Sequence, residues 1–176
     1  MPKLYLIRHA ATQPSDSPAE TWLLSAQGAA QAQALVEHPC WHEVTRIVSS
    51  PEEKALATVR PAAQRYGLPL EVHADLRELQ RSPVYLTNEG YQRTVQELFE
   101  HPERSVNQWE SASSVRTRME AAIKQLCERY HHDTLALVSH GLALSIWLAA
   151  VRGEAKPSFE AWRSLGFCTV LALELP

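Results

Sequence analysis

"TLALVSHGLALSIWLAAVRG", residues 134–153, holds a strand and a helix with no loop between them. The first half is a continuous aliphatic run, as expected of a strand covered on both faces of a parallel sheet. After His140 the chain stays apolar for too long to be one strand, and Gly153 supplies a helix stop. A buried strand feeding directly into a buried helix is the repeating piece of an α/β sheet.

Working outward, "LYLIRHAAT" (residues 4–12) reads as a short buried strand ending in Arg8 and His9. "EVTRIVSS" (43–50) supplies another around residues 46–49. In "SPEEKALATVRPAAQRYG", Ser50 predicts a cap, Pro51 the first helical position and Glu53 a closing capping box, with Gly67 and Pro69 ending the helix. "LLSAQGAAQAQALVEH" predicts a helix capped by Ser25, and "LPLEVHADL" a third strand. A long helix begins at Ser111 or Ser113, with Val115, Met119, Ile123, Leu126 and Tyr130 at steps of three and four. "CTVLALEL" is the last strand.

These elements predict a three-layer α/β/α sandwich around a mainly parallel central sheet. The chain reads as a single domain over residues 1–176, with a small cap insertion over roughly 79–110 where the pattern turns polar and weak. At 176 residues, 45% apolar and 21% charged, its composition is that of a globular protein. The formal charge of −3 argues against nucleic acid as a partner. Cys40, Cys127 and Cys168 are widely spaced and predict reduced thiols, no run approaches the ~18 apolar residues of a membrane span, and no signal-peptide core is present. The expected location is the cytoplasm.

Two strands end in Arg8–His9 and in His140, and a third stops at Ser50 beside a helix start. Neighbouring parallel strands lie only ~5 Å apart, so these groups can converge at the sheet edge where α/β proteins bind ligands. Singly, a strand-end histidine is most often structural and an arginine beside it a surface charge. Together, cations, imidazoles and helix amides describe a phosphate pocket.

"LIRHA", "SSPEEKALAT", "LRE" and "LVSHG" follow one another as in the histidine phosphatase superfamily, and the sequence resembles that family, with its phosphoglycerate mutase-like fold, over nearly its whole length. "LIRHAAT" is similar to the family's Arg-His-Gly-x-Thr opening, with Ala10 in the glycine's place. Leu24, Ser25, Gly28, Gln31 and Ala32 match a second family pattern. The resemblance implies metal-independent hydrolysis of a phosphomonoester, without a cofactor, through a phosphohistidine on His9. Arg8 would grip the phosphoryl oxygens, His140 would join it with Gly141 and Leu142, and Glu78 would be the general acid. Thr12 would supply a hydroxyl or simply stabilise its loop.

Lys54 stands where the family usually has a second arginine, a point charge in place of a planar fork. This predicts reduced activity or a shifted substrate preference; Arg46, Arg77 and Arg81 are candidate replacements, and Arg60 is poorly placed. An asparagine after "RHAAT" and a Gly-x-x-Glu-Gly run after Glu78 are missing. The chain is short beside mutases of this fold, which favours hydrolysis. Two other readings stay open: a phosphohistidine protein phosphatase, and a non-catalytic phosphate-binding or regulatory module. The expected partner is a small phosphomonoester or inorganic phosphate, with no membrane and an open oligomeric state. "HHD" at residues 131–133 is not read as a metal site. His38, His42, His73 and His101 read as solvated, Leu144, Trp147 and Leu148 as a buried helix face, and Glu110–Ser111 as a cap. Phe159, Trp162 and Phe167 read as core.

Overall fold

A computed structural model describes residues 3–82 and 86–174. The strands are β1 (Lys3–Arg8), β2 (Arg46–Ser49), β3 (Leu70–Val72), β4 (Leu135–Ser139) and β5 (Val170–Glu174). They form one sheet in the order β3-β2-β4-β1-β5, parallel except for β5 at the edge. Arg8 lies opposite Ser139, and Ser49 opposite Val138, so β1, β4 and β2 end together. That common edge is the consequence of register, and it positions everything that follows.

Residues along each strand alternate between two cores. Tyr5, Ile7, Ile47, Ala136 and Val138 face one cluster with α1 (Ala26–Leu35) and α2 (Glu53–Tyr66). Leu4, Leu6, Val48, Leu135 and Leu137 face the other, built with α3 (Asn88–Glu100), α4 (Ala112–Arg129) and α5 (Gly141–Val151). Buried Val95, Leu98, Phe99, Val106 and Trp109 continue that second core, so the 79–110 stretch packs its apolar side into it. Residues 83–85 of that stretch lie outside the described residues. Leu144, Trp147 and Leu148 are buried as expected.

Several local expectations are corrected. Helix α2 starts at Glu53 with Glu52 as its N-cap and no side-chain cap bond, so the Ser50–Glu53 capping box does not form. Ser50 is fully buried, its hydroxyl accepts from Glu52 N and meets His140, and Glu53 pairs with Arg60 instead. Ser111 does cap α4. His38 and His73 are half-buried caps, accepting from Cys40 N and Asp75 N. The unexpected short helix α6 (Phe159–Ser164) half-buries Phe159 and Trp162, whereas Phe167 is 40% exposed and is not core. No helix among the described residues is long and apolar enough to cross a membrane.

Candidate active site

The loop leaving β1 is held by both helices of one layer. Ala10 N donates to Thr58 Oγ1 of α2 at 2.9 Å, and Ala11 N to Gln31 Oε1 of α1 at 2.9 Å. Ala10 is fully buried and is not among the residues with positive φ, so its methyl replaces the family's glycine without backbone strain. The main chain of Thr12 pairs with Leu24 in an isolated antiparallel bridge. Thr58→Val should leave the buried Ala10 N–H unsatisfied. An expected loss of about 1–3 kcal/mol is readable by urea unfolding.

This anchoring aims His9. The imidazole is 6% exposed and its Nδ1 lies 2.7 Å from Ala10 O. A carbonyl only accepts, so Nδ1 carries the proton and Nε2 keeps its lone pair. Burial lowers the ring's pKa to about 3; the Ala10 bond opposes this, and the charges of Lys54, Arg8 and Arg81 reinforce it. At neutral pH the ring is uncharged.

Arg8 donates to Leu165 O and lies 4.2 Å from the Phe167 ring centroid, which itself is 5.6 Å from the His9 ring. A Cβ at Gly141 would come within 3.2 Å of the guanidinium, so the small residue makes room for it. His140 is fully buried, its ring centroid 5.1 Å from that of His9. Its Nε2 lies 2.7 Å from Ser50 Oγ and 3.3 Å from Glu52 Oε1. Arg8 Nε and His140 Nδ1 are buried without a partner among the described residues. An unpaired guanidinium N–H beside two buried imidazoles is costly alone and fits an anion.

Glu78 neither pairs with its arginine neighbours nor stands free. Its Oε1 accepts from Leu79 N and Ala143 N, each at 2.9 Å, and its Oε2 from Leu142 N at 3.2 Å. The carboxylate therefore caps α5, and the Leu142 amide, expected at the phosphate, is donated to Glu78. Arg118 locks this segment, reaching Asp75 O, Arg77 O and Glu78 O while forking onto Glu110. Glu110 is thus the partner of the half-buried Arg118 rather than a simple cap.

Lys54 is 3% exposed, and its Nζ lies 2.6 Å from Ala19 O and 2.7 Å from Glu52 Oε2. Here the chain's own carboxylate, Glu52, holds this charge. Arg46 is tied to Glu71 and Asp133, and Arg77 to Asp75 and Glu110. Arg81 sits 5.4 and 5.9 Å from the Tyr91 and Trp109 rings, has no carboxylate partner among the described residues, and its charge acts on both His9 and His140. It is the candidate replacement that remains. Among the described residues no three His, Cys, Asp or Glu side chains gather as metal ligands.

Sequence reasoning missed Glu52, Arg118 and Phe167 as neighbours of the site. Only Glu52 left a trace, as an acid two residues before the substituted cation.

A mainly parallel five-stranded sheet with Arg8, His9 and His140 at its carboxyl edge defines the phosphoglycerate mutase-like class of α/β proteins. The chain belongs to the histidine phosphatase superfamily (branch 1), which it matches over residues 4–175, and whose members are phosphatases or mutases. It is 29% identical over 168 residues to the probable phosphoglycerate mutase GpmB of Proteus mirabilis (strain HI4320), covering 87% of this chain and 76% of that protein. The corresponding protein of Citrobacter koseri is 30% identical over 168 residues, with the same coverage. A mycobacterial glucosyl-3-phosphoglycerate phosphatase in complex with VO3 superposes with a TM-score of 0.83 at 21% identity, covering 99% of this chain and 91% of that one. Phosphoserine phosphatase from Entamoeba histolytica, with 3-phosphoglyceric acid, gives 0.78 at 20% identity, covering 98% and 90%. At these identities the two structures establish a shared fold.

Proposed function

We propose that the protein hydrolyses a small phosphomonoester, without a metal, through a phosphohistidine on His9. The observation that carries this reading is the 2.7 Å contact of His9 Nδ1 with Ala10 O, which leaves a buried, uncharged Nε2 beside Arg8 and His140. The Nε2 lone pair attacks phosphorus as the P–O ester bond breaks, and the leaving oxygen takes a proton from Glu78. Water then attacks phosphorus as the P–Nε2 bond breaks and frees His9, and it gives a proton to Glu78, so the carboxyl is restored each cycle. Arg8 and the His140 Nδ1–H hold the equatorial oxygens as charge develops.

Residues 79–110 are proposed as a cap over this site, in one domain spanning residues 1–176. Three free thiols, one buried and two half-buried, suit a reducing compartment, and we place the protein in the cytoplasm. The phosphatase names of the structural neighbours support hydrolysis, and the mutase names of the relatives make transfer to a second hydroxyl the competing outcome.

The test is turnover of para-nitrophenyl phosphate, phosphoserine and 3-phosphoglycerate in excess chelator, with rapid quenching and mass spectrometry of the protein. Inorganic phosphate release that survives the chelator, with an acid-labile phosphate on the peptide containing His9, is the expected result. Loss of turnover to the chelator, or a phosphate on another residue, would overturn the proposal.

A further inference from the structure

One buried ion pair, Glu52 with Lys54, has no part in the chemistry above yet touches residues that do. Glu52, whose side chain is 9% exposed, places Oε2 2.7 Å from Lys54 Nζ and Oε1 3.3 Å from His140 Nε2. The same Oε1 accepts from the Glu78 N–H at 2.8 Å. The groups facing it are Lys54 from α2, His140 from the β4–α5 junction and Glu78 from the segment after β3. His9, Arg81 and Arg118 act on His140 from further out.

The opposite ring nitrogen, His140 Nδ1, is buried and unpartnered. An anion there needs an N–H at Nδ1. An ionised Glu52 beside Nε2 draws the single proton of a neutral ring to Nε2, so Nδ1 presents a lone pair, which repels an anion. Two rearrangements cure this without leaving the Glu52 carboxylate against a bare Nε2 lone pair. Either the ring gains a second proton and lies as an imidazolium between Glu52 and the anion, or Glu52 is protonated and the Ser50 hydroxyl, 2.7 Å away, donates to Nε2 while Nδ1 keeps the ring proton. Each takes one proton from solvent.

We propose that Glu52 is a positioning residue which makes binding of a phosphoryl group take up one proton onto the Glu52–His140 pair. This rests on the reading above that the phosphoryl group sits between His9 and His140. Burial supports it from both sides, raising the Glu52 carboxyl above its ordinary range against the pull of Lys54, and holding the imidazole of His140 neutral.

Sulfate is the probe, because it does not titrate in the neutral range and requires no turnover. Calorimetry in buffers of different ionisation heat should show about one proton taken up by the wild type, with affinity falling about tenfold per pH unit as pH rises. Glu52→Gln can donate to Nε2 through its amide, so its uptake should fall toward zero, its pH slope should flatten, and it should bind more tightly than wild type at the alkaline end. Glu52→Asp keeps the charge and should keep the slope, which separates the linkage from a packing role and serves if the glutamine variant fails to fold. No proton uptake by the wild type, no sulfate binding, or a glutamine variant with an unchanged slope would overturn the inference. Linked sulfate binding without phosphatase turnover would instead refute the phosphohistidine proposal and leave this one standing.

Discussion

His9→Ala is expected to lower kcat on para-nitrophenyl phosphate by roughly 10^4-fold or more, the scale on which removal of a covalent nucleophile acts. No other described side chain stands in the same relation to Arg8 and His140: His140 itself meets Ser50 and Glu52 through Nε2, and Glu78 is bound to three main-chain amides. The variant should keep its fold, because the β1 loop is anchored through Ala10 N and Ala11 N rather than through the imidazole. Removing the ring opens a space bordered by His140 and Phe167, which added imidazole can enter, so partial rescue of turnover by free imidazole is a further expected result. Retention of activity within tenfold of wild type would remove His9 from the chemistry. Sulfate binding by the same variant reports whether the anion seat persists, and so separates lost chemistry from lost structure.

The ends of β1 and β4 were legible because each is a short apolar run broken by a charged or titratable residue, and parallel register then puts Arg8 level with Ser139. What the sequence withheld are bonds made at long range. Ser50, Pro51 and Glu53 form a correct local signal for a capping box, but the Ser50 hydroxyl is claimed by His140, ninety positions away, and the helix begins later. Neither the tie of Lys54 to Ala19 O nor its pairing with a buried Glu52 can be read from spacing. Arg118 resembles any polar residue on a long helix until the 75–78 segment is seen to turn three carbonyls toward it. Phe167 was read as core from its apolarity, whereas its ring serves as a platform for Arg8. Local pattern therefore disclosed which residues reach the sheet edge, and tertiary partners decided what charge each one presents there.

Gly28→Ala is expected to reverse the usual sign of its substitution. In an exposed helix the change gains about 1 kcal/mol through propensity. Gly28 is buried in α1, and a Cβ there would collide with Ala11 O and lie 2.9 Å from Ala11 C. Both contacts are main chain, so no rotamer change relieves them, and helix and loop must separate. That movement strains the Ser25 N to Ala11 O bond and the Ala11 N to Gln31 bond. Overpacking of this kind should cost about 3 kcal/mol or more. Ala30→Gly, on an exposed position of the same helix, isolates the propensity part and should lose about 1 kcal/mol. Urea unfolding of the two variants measures the difference, and a stabilised Gly28→Ala would overturn the expectation. The displaced loop carries Ala10, whose carbonyl fixes the tautomer and aim of His9. A fall in kcat should therefore accompany the loss of stability, although Gly28 touches no reacting atom, because a nucleophile freed to rotate spends less time with Nε2 facing phosphorus.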